Sequence, residues 1–219
     1  IGIFGFLNYL VISKHLHIIF AFPNTYYANL SPKGQFTNMD SVTNEVKSML
    51  DPNADPFAQP ESQVDVERFG VKDATDLNRI QILNAYSCTE CGRCTAECPA
   101  NTTGKKLSPR KIMMDVRDRI EELGRNLDLK GEKYNDNRSL LNDYIKPEEL
   151  WACTSCNARV EACPINIDPL SIIMDMRQYL IMEESSAHPD LNNMMNNIEN
   201  NGAPWPYNQQ DRELWIQES

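Results

Sequence analysis

All seven cysteines of this chain fall in two short runs. The first reads Cys88-Thr-Glu-Cys91-Gly-Arg-Cys94-Thr-Ala-Glu-Cys98-Pro99, the second Cys153-Thr-Ser-Cys156-Asn-Ala-Arg159-Val-Glu-Ala-Cys163-Pro164. Whatever else the chain does, it must fold each run around something that binds sulfur. Disulfides suit the pattern poorly, because an odd count leaves a thiol over and Ile1–Phe22 is not built as a secretory signal. Zinc sites use Cys-x2-Cys pairs, but four close cysteines followed by proline make poor zinc geometry. Redox-active Cys-x-x-Cys chemistry belongs to a βαβ context, which this sequence lacks.

The first run satisfies C-x2-C-x2-C-x3-C-P, the ligand run of two-cluster ferredoxins, and the second satisfies it except at Arg159. Three cysteines at two-residue intervals let one loop wrap three corners of a cubane, and the fourth ligand comes from the other run. On that rule Cys88, Cys91, Cys94 and Cys163 hold one 4Fe-4S cluster. Cys98, Cys153 and Cys156 hold a second that lacks one thiolate. Arginine stays protonated and has no lone pair to give, so it cannot replace the missing sulfur. The second cluster is therefore expected to be altered or labile: a 3Fe-4S cluster, a four-iron cluster with a water or side-chain ligand, or a damaged site. No general acid, base or nucleophile constellation is visible, so no catalytic residue is assigned. The chain reads as an oxidoreductase component that carries electrons.

Around these runs the sequence predicts an all-α fold: a helical ferredoxin domain over 71–187, an N-terminal membrane-associated helix over 1–22, an irregular linker over 23–70 and a tail over 188–219. Residues 1–22 are apolar but interrupted by Lys14, His15 and His17. They read as the cytoplasmic end of a transmembrane helix, with Lys14 and Lys33 on the positive-inside side; the alternative is a helix buried in a partner. The linker carries Pro23, Pro32, Pro52, Pro56 and Pro60, with one helix at 41–50. Thr75 or Asp76 is expected to cap a helix ending near Tyr86, with Leu77, Ile80 and Leu83 on its apolar face. Ser108-Pro109 opens a second helix striped by Ile112, Val116, Ile120 and Leu123 and stopped by Gly124. Residues 125–146 are expected to be a polar, exposed insert, and 140–151 a helical approach to Cys153. Asp168-Pro169 repeats the cap-and-proline start, with Ile172, Met176 and Leu180 as stripe. Pro109-Arg-Lys-Ile-Met-Met-Asp-Val-Arg117 parallels Pro169-Leu-Ser-Ile-Ile-Met-Asp-Met-Arg177, which marks an internal duplication. The Met and Ile stripes read as core packing. In the tail, Trp205 and Trp215 suggest a docking segment for another domain or subunit, or a segment folded back on its own domain. The formal net charge of −10 disfavours nucleic acid as a partner.

Tyr86-Ser-Cys88-Thr-Glu-Cys91-Gly-Arg-Cys94, Leu150-Trp-Ala-Cys153-Thr and the Gly202…Pro204-Trp205…Arg212…Trp215 tail together resemble iron–sulfur subunits of the heterodisulfide-reductase type. Glycolate and lactate oxidation subunits and membrane-bound electron-transfer-flavoprotein:menaquinone oxidoreductases are relatives of that type. Ser13-Lys14-His15-Leu-His17 followed by Pro23 is similar to the last membrane segment of a nitrate-reductase-gamma-like cytochrome b module. The resemblance implies that His17, with His15 as second choice, ligates a haem b whose other ligand lies upstream. It implies a flavoprotein or dehydrogenase donor, menaquinone as acceptor, a CCG-type cysteine-rich domain or subunit as partner, and a place on the cytoplasmic face of the inner membrane. It also implies cysteine at the position of Arg159. A soluble iron–sulfur subunit of a heterodisulfide-reductase-like or glycolate/lactate dehydrogenase complex is the alternative.

Overall fold

Capping and proline placement lay out a succession of helices. The computed structural model describes residues 2–13, 15–30, 38–50, 68–131, 134–208, 211 and 213–217, and no strand occurs among them. The all-α expectation holds. Lys14, Lys33, Pro32, Pro52, Pro56, Pro60 and Arg212 lie outside the described residues. Two compact units divide the chain, Ile1–Gln178 and Tyr179–Ser219.

In the first unit, α1 (Gly2–Val11) and α2 (Leu16–Tyr26) are bent by 57° about a break. No single helix among the described residues is long and apolar enough to cross a membrane, though this bent pair passes that test together. α1 buries none of its side chains; Ile3 and Phe4 are 78% and 73% exposed. α2 runs four residues past Phe22 and contains Pro23, where the sequence suggested that the linker begins. It packs along α4 (Arg79–Ser87), with Phe20 against Tyr86 and the Ser87 hydroxyl donating to the Phe20 carbonyl at 3.2 Å. α3 (Asp40–Leu50) is the helix expected at 41–50.

The start of α4 corrects the sequence expectation. Asp73 caps only a short 3₁₀ turn, Ala74–Asp76, and α4 itself begins after Asn78. Asn78 Oδ1 accepts from the Gln81 N–H at 2.8 Å, and Gln81 Oε1 accepts from the Asn78 N–H at 3.0 Å, a reciprocal box that satisfies two orphan donors. The buried face also differs: Gln81, Asn84, Ala85 and Ser87 are buried, whereas Ile80 is 45% exposed. Polar residues can take that face because partners await them, as Asp175 does for the Gln81 amide at 2.5 Å.

The short helices α5 (Arg93–Ala96), which carries Cys94, and α6 (Pro99–Thr102), which follows Cys98, precede α7 (Pro109–Lys130). Ser108 and Pro109 start α7 as expected, but it passes through Gly124 and ends at Gly131, whose φ of 89° suits glycine. Gly124 costs only a few tenths to about 1 kcal/mol in a helix interior, too little to stop it against continuing packing. Ile112, Met113 and Val116 are buried; the stripe then passes to Arg119 in place of Ile120. Residues 125–146 are accordingly no exposed insert. Asp136 pairs with buried Arg119, and Leu140, Leu141 and Ile145 are fully buried. Leu140–Tyr144 is an irregular turn, with Asn142 at φ 78°, and helix resumes only at α8 (Pro147–Trp151). Leu141 N–H reaches the Lys72 carbonyl at 3.0 Å, so this segment closes over the start of the domain. α9 (Ala158–Glu161) lies within the second cysteine run, and α10 (Pro169–Met182) follows, with the Asp168 carboxylate accepting from the Leu170 and Ser171 N–H groups at 2.8 and 3.2 Å. Ile172, Ile173 and Met176 are fully buried, as core stripes should be.

In the second unit, α11 (Pro189–Asn201) starts from a His188 cap and ends at Gly202 with φ 65°. α12 (Leu214–Gln217) closes the described chain; Trp205 and Trp215 are 46% and 72% exposed.

Candidate iron–sulfur centre

The two cysteine runs have one backbone. Glu90 and Ser155, each between the first two cysteines of its run, take φ of 59° and 54°. Gly92 and Asn157, each just after the second cysteine, take φ of 83° and 58° and cap α5 and α9. Glycine and asparagine are residues that tolerate this left-handed region. The turns curl amide groups toward sulfur. Ser155 N–H donates to Cys153 Sγ at 3.4 Å, and the Glu90 N–H does the same for Cys88. Ile167 N–H donates to Cys163 Sγ at 3.4 Å. Such N–H···S bonds are among the groups that set the potential of a cluster.

α5 packs against α9, and this contact carries the second run's last cysteine to the first run. Cys88, Cys91, Cys94 and Cys163 together line one cavity, with Gly92, Met113, Pro164, Ile165 and Ile167 among its walls. Among the described residues, no three His, Cys, Asp or Glu side chains converge as a single metal ion requires. The sulfurs instead surround a space, as ligands of a polynuclear group do. Their electrostatics agree. Burial pushes the Cys88 thiol up, and Cys94 and Cys163 push it further against Arg117. Burial likewise raises Cys94, reinforced by Cys163 and Cys91. Cys91 is exposed and lowered, first by the Arg93 N–H. Thiols that oppose one another's ionisation become compatible as thiolates once iron cations sit between them. This donor set fits a four-thiolate cubane.

The second set does not offer the same surroundings. Cys98 and Cys153 are buried and Cys156 is exposed. The Arg159 side chain, 1% exposed, donates from Nη2 to Cys153 Sγ. Its Nε and Nη1 are buried with no acceptor among the described residues. A guanidinium resting on one of three remaining sulfurs does not fit a four-thiolate cubane at that place.

Each loop is braced by an arginine from the helix that follows it. Arg117 of α7 donates to the Glu90 carboxylate. Arg177 of α10 donates to the Leu150 carbonyl at 2.6 Å and the Cys153 carbonyl at 2.5 Å, stacked 5.0 Å from the Trp151 ring centre. These bracing roles are absent from the sequence expectation, although Arg117 and Arg177 hold equivalent places in the duplicated helices. Asn24 was also unforeseen: its Nδ2 donates to the Ile165 carbonyl at 2.8 Å, tying α2 to the cavity wall. His15 is exposed at the start of α2, its Nδ1 3.5 Å from the Ser13 hydroxyl, and His17 is half-buried a little further on. Neither lines the cysteine cavity.

Residues 87–167 of this helical, duplicated cage match the 4Fe-4S dicluster domain. The chain is homologous to iron–sulfur electron-transfer proteins. It is 30% identical to a probable iron-sulfur-binding oxidoreductase FadF of Bacillus subtilis, over 98% of this chain and 32% of that protein. It is 31% identical to an EtfAB:quinone oxidoreductase of Syntrophomonas wolfei, over 70% of this chain and 24% of that protein. It is 30% identical to one component of the ferredoxin/F(420)H(2)-dependent CoB-CoM heterodisulfide reductase of Methanosarcina acetivorans, over 49% of this chain and 53% of that protein. The chain thus spans about a third and a quarter of the length of the first two.

Proposed function

We propose that this chain is the iron–sulfur relay of a membrane-attached oxidoreductase, taking electrons from a soluble flavoprotein or dehydrogenase and passing them toward menaquinone. The observation that supports it most is the gathering of Cys88, Cys91, Cys94 and Cys163 around one cavity. A 4Fe-4S cluster held there supplies reversible one-electron chemistry. The residues around it do the rest. The thiolates would hold its iron, the Glu90 and Ile167 N–H groups stabilise the sulfurs of Cys88 and Cys163, and Met113, Ile165 and Ile167 would keep one side of the cavity dry. Cys98, Cys153 and Cys156 are the remaining candidate ligands.

The relative named as an EtfAB:quinone oxidoreductase supports a flavoprotein donor and a quinone acceptor. The exposed apolar side chains of α1 support attachment to a bilayer through residues 1–26, on the cytoplasmic face. His17, and after it His15, are our candidates for a haem b ligand, with the opposing ligand and a CCG-type domain supplied from elsewhere. The test is anaerobic purification from membranes, followed by reduction with a reduced electron-transfer flavoprotein. A cluster EPR signal that appears on reduction and is lost on adding a menaquinone analogue supports the relay. A protein that is colourless and carries zinc defeats it. The packing of α2 onto α4 and the heterodisulfide reductase relative favour a second reading, a soluble component of a multi-subunit reductase. Release from membranes by salt without detergent would select that one.

A further inference from the structure

Arg159 takes part in two sites at once. It lies on Cys153 Sγ, and it lines the cavity of Cys88, Cys91, Cys94 and Cys163. Its Nε and Nη1 are buried without acceptors among the described residues. A guanidinium stays charged, and leaving buried charged donors unpaired is costly enough that native structures avoid it. The thiolates and sulfides of a cluster in the adjoining cavity are the anionic acceptors that this corner lacks. We infer that the chain loads a single cubane, on Cys88, Cys91, Cys94 and Cys163, while the Arg159 guanidinium takes the place of the second and donates hydrogen bonds to the first. This inference rests on the relay reading above, and it departs from the two-cluster content of the matching domain family.

The second loop keeps the cluster-binding backbone, with Ser155 and Asn157 in the same left-handed conformations as Glu90 and Gly92. The loop is therefore built, and a single side chain bars it. Donation from a cation also stabilises the more negative, reduced cluster, so Arg159 is a positioning and tuning residue that raises the first centre's potential.

Four measurements on the full chain, purified without oxygen, test this. Iron and acid-labile sulfide should each come to about four per chain, and Arg159→Cys should raise both toward about eight. Iodoacetamide should alkylate the exposed Cys156 while the visible absorption persists. Arg159→Leu should keep the iron content and lower the midpoint potential, with Arg159→Lys restoring part of the shift. Wild-type protein with about eight irons, a protected Cys156, no gain in Arg159→Cys, or an unmoved potential in Arg159→Leu would each overturn the inference. These outcomes leave the relay reading standing; a chain that binds no iron ends both.

Discussion

Arg119 holds its charge at 1% exposure between two carboxylates. It donates to Asp73 at 2.8 and 2.7 Å, to Asp136 at 2.6 and 3.0 Å, and to the Arg138 carbonyl at 2.6 Å. Removing one partner of such a buried cluster strands the others, so Arg119→Met should lower unfolding stability by about 3 kcal/mol, read by chemical denaturation. The Arg119 hydrogen bond, in the first place, draws the Asp136 carboxyl from 3.8 down to about 2. A depressed carboxyl stabilises the fold above its unfolded value and loses that contribution as pH falls through its folded value. Wild type should therefore lose more stability between about pH 4 and 2 than Asp136→Asn does, and comparing the two cancels the acid lability of the cluster itself. Among the thiols, Cys91→Ser should abolish the first cluster's EPR signal and lower iron per chain. The residue scale was the most legible in sequence: cysteine spacing marked the candidate ligands. Arg159 was legible as a departure, but its placement on Cys153 needed the packed helices.

The duplicated element explains more than either half. Each half sends one arginine back to its own loop, by a carboxylate in the first and by carbonyls in the second. The sequence showed the repeat, the caps at Ser108 and Asp168, and the core stripes of α10 and of the first half of α7. It misplaced the start of α4 and the end of α7, because a cap is local chemistry whereas helix length answers to packing. Asn78 competes with Asp73, Thr75 and Asp76 as a cap, and only the turn around Ala74 decides among them. At this scale the Asn24 bond to Ile165 is the most exposed to test. Asn24→Ala should cost about 1 kcal/mol and loosen the cavity wall. The visible absorption of the cluster should then bleach faster in air, with the iron content at the start unchanged.

Across the whole chain, the ferredoxin-like unit contains an N-terminal helix pair whose two members behave differently. α2 is docked on α4, while α1 leaves Ile3, Phe4, Leu7 and Val11 more than half exposed. If that apolar face meets lipid, a double substitution Phe4→Asp with Leu7→Asp should release the protein from anionic vesicles in a flotation assay while the iron content stays intact. Retained binding would assign attachment to another part of the chain. The sequence suggested the end of a membrane helix followed by an interfacial turn within residues 1–22. The run of α2 to Tyr26 and its contact with α4 were beyond it, since both depend on what the helix packs against.

Cysteine spacing, capping residues and apolar periodicity are properties of neighbours in the chain, so they by themselves determined the class of cofactor, the all-helical fold and the duplication. Which sulfurs share a cavity, where a buried arginine finds its anions, and which apolar helix is covered depend on groups far apart in sequence. Those were decided only when α5 met α9 and α2 met α4, because hydrogen bonds and desolvation act through space.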